Sequence, residues 1–196
     1  VGAKLELSKE AAKAALGVMD PRHRFSVVTF DDTPYVAVPL QLASEAPRIN
    51  QSISQIIAGS QTNIYPALEK AFEVLEDSKA EVKHIVLLSD GKTYADDYEE
   101  LVTSMADEDI TVSSVAVGEE ADRSLLSNIA MWGNGRTYYI QDAQGVPQVF
   151  IKEAQIASQS TLIEERVIFE SIQSSEIFTG LDIQAAPDLE GYVKTR

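Results

Sequence analysis

Residues 86–93 read Val-Leu-Leu-Ser-Asp-Gly-Lys-Thr, an apolar run that ends in a carboxylate, and this stretch decides the fold. A short aliphatic run of this kind is typical of a buried strand in a parallel sheet. Residues 61–64, Gln-Thr-Asn-Ile, read as a helix start that carries a hydroxyl. In a parallel α/β sheet the strand ends and the following helix starts meet along one edge, so we expect Asp90 and Thr62 at the same crevice. A hard divalent cation favours such oxygen ligands.

Short β-branched runs alternate with longer amphipathic stretches along the chain, as in an α/β sheet with helices on both faces. The predicted strands cover 25–30, 35–39, 83–89, 111–117 and 136–140, and the predicted helices cover 5–18, 49–57, 64–75, 98–105, 125–130 and 146–157. Only residues 31–34 separate the first two strands, which is too short for a crossover helix and predicts an antiparallel hairpin. We therefore predict a three-layer, doubly wound, mostly parallel sheet with one antiparallel edge strand, in which 25–30 and 83–89 share one sheet.

Local signals support these boundaries. Pro66 falls in the first turn of its helix, where its missing N–H has no cost. Asp122 is expected to cap the helix that Gly133 ends, and Trp132 is expected to pack at that helix end.

Several polar residues have structural rather than chemical roles in this interpretation. Asp31 and Asp32 suit a hairpin turn. His23 lies in a charged turn and is expected to be solvated, whereas His84 begins a buried strand and is expected to be a hydrogen-bonded structural residue. We predict no catalytic residues, because the chain has no nucleophile elbow and no glycine-rich phosphate loop.

Composition limits the classes of partner. The 196 residues are 44% hydrophobic, which supports a globular core. Lys+Arg 16 against Asp+Glu 31 give a formal net charge of -15, which opposes binding to nucleic acid or anionic lipid. There is no cysteine, so disulfide and thiolate chemistry are excluded. No apolar run approaches the roughly 20 residues that span a bilayer, and the start at Val1 rather than Met suggests a segment of a longer protein.

Several motifs together resemble the von Willebrand factor type A domain. They are Gln61-Thr62-Asn63-Ile64-Tyr65-Pro66-Ala67-Leu68, Leu87-Leu88-Ser89-Asp90-Gly91 and Val115-Ala116-Val117-Gly118. More narrowly, residues 4–11 and 129–136 look like the bacterial membrane-anchored proteins that join this domain to a glutamine-amidotransferase-like domain. The resemblance covers residues 1 to about 158, and we expect 159–196 to be an extension or linker.

The resemblance implies a metal-ion-dependent adhesion site, or MIDAS. The family builds it from an Asp-x-Ser-x-Ser loop after the first strand, a Thr and an Asp, and Thr62 and Asp90 match the last two. The Asp-x-Ser-x-Ser loop would precede Val1, so the site is expected to be incomplete in this chain. The implied cofactor is Mg²⁺ or another divalent cation in the intact parent, with none held by this chain alone. The implied partner is a protein that binds through a carboxylate, and the implied parent is membrane-associated and bacterial.

Alternatives remain open at this point. Thr62 also suits a helix cap, and Asp90 before Gly91 also suits a turn. The domain would otherwise be a phosphoryl-transfer or phosphoacceptor module whose nucleophile strand is missing, although no lysine stands just after Val117 to stabilise phosphate charge. A further alternative for the whole domain is a purely structural role, with a metal site that is incomplete even in the parent protein.

The family places its first strand between the counterparts of 25–30 and 83–89, so its loss would expose two strand edges. We predict that Val167-Ile168-Phe169 fills this slot, with Glu170 emerging near Thr62 and Asp90. The donor would be the same chain or a second copy in a strand-swapped dimer, and the sequence does not choose. Superficial packing of the tail is the alternative.

Overall fold

The computed structural model describes residues 2–31, 33–57, 62–90, 93–159, 162–163 and 192–193. The chain divides into two compact units, Val1–Ser158 and Gln159–Arg196. In the second unit β6 (Leu162–Ile163) pairs antiparallel with β7 (Tyr192–Val193). The predicted insertion of Val167-Ile168-Phe169 and the position of Glu170 lie outside the described residues.

The first unit alternates strands and helices as the sequence predicts. The strands are β1 (Arg24–Thr29), β2 (Tyr35–Leu42), β3 (Lys83–Ser89), β4 (Ile110–Val117) and β5 (Asn134–Ile140). The helices are α1 (Gly2–Val18), α2 (Ala46–Ser54), α3 (Ile64–Glu76), α4 (Tyr98–Asp107), α5 (Arg123–Trp132) and α6 (Val146–Gln159). Every strand and helix predicted within residues 1–158 is present, so the α/β fold class is confirmed. Among the described residues no helix is both long and apolar enough to cross a membrane.

The described strands of the first unit form two sheets, and the expectation that 25–30 and 83–89 share one sheet is not met within them. β1 and β2 form an antiparallel pair, as the short turn predicts. β3, β4 and β5 form a parallel sheet in that order. In the part of the chain that the structure describes, no strand joins β1 to β3 through backbone hydrogen bonds. Within these described strands β4 is therefore central, whereas the equally apolar β3 pairs on one side only.

Helices cover both faces of the parallel sheet. One face of the sheet packs on α3, α4 and α5, through the buried side chains of Leu68, Val102, Val112, Leu126 and Ile129. Trp132 packs at the edge of this core, as predicted. The other face packs on α1 and α6, through the buried side chains of Ala11, Val115, Val117 and Val146. These three layers are the predicted architecture, and the alanines of α1 allow its close approach.

A separate apolar cluster lies on the β1–β2 pair. Buried Val38 of β2 packs with Leu16 of α1 and with Ile49 and Ile53 of α2. The helix α2 begins three residues before its predicted start because Pro47 suits the first turn, where no N–H partner is needed. The hairpin therefore has its own helical cover.

The boundaries of α5 follow the predicted signals with one difference. The Asp122 carboxylate accepts a hydrogen bond from the Leu125 N–H at 3.0 Å, so the predicted cap is confirmed. Gly133 ends the helix with φ of -87, and it is Asn134 that adopts the left-handed conformation, with φ of 52. A Cβ at Gly133 would lie 2.7 Å from the Val112 Cβ, so glycine is needed there for close packing rather than for a positive φ.

Candidate functional site

Asp90 directly follows β3 at the carboxyl edge of the parallel sheet. Its Oδ2 lies 2.9 Å from Nζ of Lys4 in α1, and each of the two side chains is 48% exposed. Gly118 follows β4 at the same edge, and a Cβ built on it would lie 4.0 Å from the Lys4 Nζ. The Lys4 ammonium therefore lies beside the ends of two neighbouring strands, and the Asp90 carboxylate is accessible and already contacts a cation.

Thr62 lies two residues before α3 and is half-buried. The residues that follow it bind two other segments of the chain. The Asn63 N–H donates to the Asp31 carbonyl at 3.1 Å, and the Ile64 N–H donates to Oγ1 of Thr93 at 3.0 Å. Thr93 is only three positions after Asp90, so the segments that carry Thr62 and Asp90 are neighbours.

Tyrosine side chains hold residues 93–98, the described segment before α4. The Tyr98 hydroxyl donates to the Tyr94 carbonyl at 3.0 Å and lies 3.2 Å from Oγ1 of Thr93. The Tyr98 ring meets the Tyr65 ring edge to face, with centroids 5.4 Å apart. Burial raises the pKa of Tyr98, so the hydroxyl stays protonated and able to donate. These contacts hold residues 93–98 in a defined conformation.

The surroundings of this loop are acidic. Burial raises the pKa of Tyr65, and the nearby carboxylates of Glu69, Asp96, Asp97 and Glu100 raise it further. A field of this sign attracts cations and repels anions. The electrostatics therefore favour a cation as ligand over phosphate.

Asp31 of the turn between β1 and β2 has the structural role that the sequence predicts. Oδ1 of Asp31 accepts a hydrogen bond from the Thr33 N–H at 3.0 Å, which is a turn contact rather than a ligand position. Asp32 lies outside the described residues.

The donors at this edge match a hard divalent cation in kind but not in number. Asp90 supplies an accessible carboxylate, and the ammonium at 2.9 Å shows that a positive charge is accommodated beside it. Within the residues that the structure describes, no group of three or more His, Cys, Asp or Glu side chains could hold a metal ion. Mg²⁺ prefers six oxygen ligands, so Thr62 and Asp90 could supply only part of a shell.

A second cluster of polar side chains, which the sequence did not reveal, surrounds Glu153 of α6. Glu153 is fully buried, at 0% exposure. One oxygen, Oε2, lies 2.8 Å from Nε2 of His84, and the other, Oε1, accepts the Tyr138 hydroxyl at 2.5 Å. The Arg136 guanidinium donates to both oxygens at 3.3 and 3.4 Å. The cluster joins α6 to β3 and β5.

The partners keep the buried Glu153 carboxylate charged. Burial by itself raises the pKa of Glu153, but hydrogen bonds from His84, Ser113 and Tyr138 outweigh it and lower the pKa from 4.5 to about 2. Burial, together with the Glu153 carboxylate, raises the pKa of Tyr138 to about 12. His84 also contacts Oγ1 of Thr111 at 2.7 Å through Nδ1, which confirms its predicted structural role.

One signal in the sequence could have revealed Glu153. It falls on the apolar stripe of α6, between Val149 and Phe150 on one side and Ala157 on the other. A charged residue on a buried helix face requires a partner of opposite charge or a strong donor. The prediction for His23 also needs correction, because His23 is half-buried, with Nδ1 3.4 Å from Oγ of Ser158.

Comparison with known proteins agrees with this fold. The family model for the von Willebrand factor type A domain matches residues 2–152. No curated protein sequence is significantly similar to the chain.

Similar solved structures share the fold at low sequence identity. A von Willebrand factor type A protein from Catenulispora acidiphila has a TM-score of 0.74 at 20% identity, over 83% of this chain and 39% of that one. An aerotolerance-related membrane protein from Bacteroides fragilis has a TM-score of 0.66 at 15% identity, over 78% of this chain and 88% of that one. Proximal thread matrix protein 1 from the mussel byssus, with zinc in its MIDAS motif, has a TM-score of 0.67 at 17% identity, over 86% of this chain and 45% of that one. The chain thus spans about two fifths of the first of these proteins.

Proposed function

The chain belongs to the von Willebrand factor type A domain family, whose members are in general non-enzymatic adhesion or interaction modules, and we propose that it binds a partner protein through a divalent cation. In this proposal Thr62 and Asp90 hold part of the coordination shell of the cation, and a carboxylate of the partner occupies one of the remaining positions. An incomplete protein shell is what allows a foreign carboxylate to bind.

The accessible Asp90 carboxylate at the end of β3 is the observation that carries this proposal. It contacts a cationic group at 2.9 Å, and the hydrogen bond from Ile64 to Thr93 brings the Thr62 segment beside its loop. The carboxylates around Tyr65 favour cations in this region of the domain. Zinc in the MIDAS motif of the mussel protein supports a divalent ion as the ligand type.

The remaining protein ligands are proposed to come from an Asp-x-Ser-x-Ser loop that precedes Val1 in the parent protein. The strand before that loop would lie between β1 and β3, which belong to separate sheets in the described structure. A strand at this place would pair with both and join the two sheets. This arrangement accounts for the side of the apolar β3 that pairs with no strand among the described residues.

The parent is proposed to be a bacterial membrane-anchored protein in which this domain is fused to a glutamine-amidotransferase-like domain. The similarity to the Bacteroides fragilis membrane protein supports the membrane anchor. The fusion rests on the resemblance of residues 4–11 and 129–136 alone. The same proposal assigns residues 1–158 to the domain and 159–196 to an extension.

The first test is a titration with Mn²⁺, followed by calorimetry and by paramagnetic broadening of amide NMR signals. The chain of residues 1–196 is expected to bind weakly, with broadening centred on Thr62 and Asp90, because two donors cannot complete the shell. Extending the chain upstream through the Asp-x-Ser-x-Ser loop is expected to tighten binding at least tenfold.

Asp90→Asn is the decisive variant in the extended chain, with Asp96→Asn as the matched control. Both remove one carboxylate from the same acidic region, but only Asp90 directly follows β3. Asp90→Asn is expected to weaken Mn²⁺ binding at least tenfold, and Asp96→Asn less than twofold. Equal effects of the two variants would show that the ion responds to net charge and is not bound at Asp90.

Partner chemistry is tested by adding a short glutamate-containing peptide to the Mn²⁺-loaded extended chain. The peptide is expected to bind only with the metal present, and the matched glutamine peptide is expected not to bind. Binding of both peptides, or binding without metal, would contradict a carboxylate that completes the coordination shell.

A further inference from the structure

The ion pair between Lys4 and Asp90 is the feature that goes beyond the proposed metal site. Nζ of Lys4 lies 2.9 Å from Oδ2 of Asp90, which is the distance of a charge-assisted hydrogen bond. The same ammonium lies beside Gly118 at the end of β4. It therefore occupies space at the carboxylate that a metal ion would approach.

We infer that Lys4 is a built-in competitor of the divalent cation at Asp90, so that the ammonium neutralises the carboxylate in the metal-free protein and must move away when the ion binds. This inference rests on the proposed metal site. It assigns to Lys4 a role in setting metal affinity, which the resemblance of the chain to its family does not include.

Electrostatic repulsion is the basis of the competition. A cation bound to Asp90 would lie roughly 2 Å from a carboxylate oxygen. An ammonium that stayed on the same carboxylate would then be only a few Å from a doubly charged ion of the same sign. At that separation the repulsion is significant even in water, and the ionic atmosphere screens it only in part.

The Lys4 side chain is able to leave. It is 48% exposed, and an exposed ion pair of this kind contributes little to stability. The lysine stem is flexible, so the ammonium can turn into solvent while the helix stays in place. The Lys4 ammonium is therefore a displaceable counter-ion of the Asp90 carboxylate and not part of a fixed structural ion pair.

Two other lysines of α1 differ from Lys4 in their contacts. Lys9 is nearly buried, at 8% exposure, and donates to the carbonyl of Ser54 at 3.2 Å and to Glu6 at 2.9 Å. Lys13 donates to Oγ of Ser54 at 2.7 Å and is half-buried. Both lysines contact α2, whereas Lys4 reaches Asp90. Lys13 is therefore a matched control for removal of one positive charge from the same helix.

The test measures Mn²⁺ affinity of the 196-residue chain by water proton relaxation and by broadening of the Asp90 amide signal. Lys4→Gln is expected to tighten Mn²⁺ binding about three- to tenfold, because it removes the competing charge at contact distance. Lys13→Gln is expected to change the affinity less than twofold. Lys4→Arg keeps the positive charge and is expected to leave the Mn²⁺ affinity close to that of the original chain.

The outcomes separate this inference from the proposed function. If Asp90→Asn leaves Mn²⁺ binding unchanged, the metal is not at Asp90 and both ideas are wrong. If Asp90→Asn weakens binding but Lys4→Gln does no more than Lys13→Gln, the metal site stands and the competition by Lys4 is refuted. A gain that is specific to Lys4→Gln and absent in the Lys4→Gln/Asp90→Asn double variant supports the competition.

Discussion

Replacing Glu153 with glutamine tests whether the buried carboxylate holds α6 on the sheet. The substitution keeps the size of the side chain and removes its charge, so the His84, Tyr138 and Arg136 contacts lose their charged acceptor. The pKa of Glu153 falls from 4.5 to about 2 on folding, and each pKa unit corresponds to about 1.4 kcal/mol. The carboxylate therefore contributes about 3 kcal/mol to stability at pH 7, which agrees with the cost of breaking a buried charged pair.

The pH dependence has a definite sign. Because the folded pKa lies below the unfolded value, the stabilising contribution of Glu153 is complete above about pH 4.5 and declines as the pH falls towards 2. The difference in unfolding free energy between the original chain and Glu153→Gln is thus expected to be about 3 kcal/mol at pH 7. It is expected to shrink steadily below pH 4.5.

Urea unfolding followed by tryptophan fluorescence measures this difference. The chain has one tryptophan, Trp132, and it packs against the core of the first unit. Glu69→Gln is the control, because Glu69 is exposed on α3 and its replacement is expected to change stability by less than about 0.5 kcal/mol. A Glu153→Gln variant as stable as the Glu69→Gln variant at pH 7 would refute the reasoning. So would a difference that stays constant from pH 7 to pH 3.

Two further substitutions test the packing of β5 on β4 and the start of α5. Gly135→Ala is expected to lower the free energy of unfolding in urea by more than about 3 kcal/mol or to prevent folding, because its Cβ would lie 2.1 Å from the carbonyl oxygen of Val112. Gly17→Ala in α1 is the control. A Cβ at Gly17 meets nothing within 4 Å, so this variant is expected to be neutral or more stable by about 0.5 kcal/mol. Asp122→Ala removes the cap on the Leu125 N–H and is expected to lower the thermal midpoint, at a cost of about 1 kcal/mol, while Asp122→Asn is expected to retain most of that stability.

Local physics accounts for the features that the sequence predicts well. The order of strands and helices follows from hydrophobic periodicity, and the hairpin follows from a connection too short for a helix. The Asp122 cap and the position of Pro66 follow from backbone donors within one turn of the residue concerned. Each of these interactions joins residues that are close along the chain, so the amino-acid order carries the information.

Tertiary packing determined the features that local sequence patterns did not predict. Glu153 and His84 are separated by 69 positions, and Lys4 and Asp90 are also distant along the chain, so no local pattern pairs them. The requirement for glycine at Gly133 comes from contact with Val112 of another strand, not from the helix that it ends. The division of the strands into two sheets likewise depends on which edges meet in space. The sequence by itself determined the elements and the two candidate ligands, Thr62 and Asp90. Only the folded structure showed which charges face one another, because the contacts that pair them join segments that are distant along the chain.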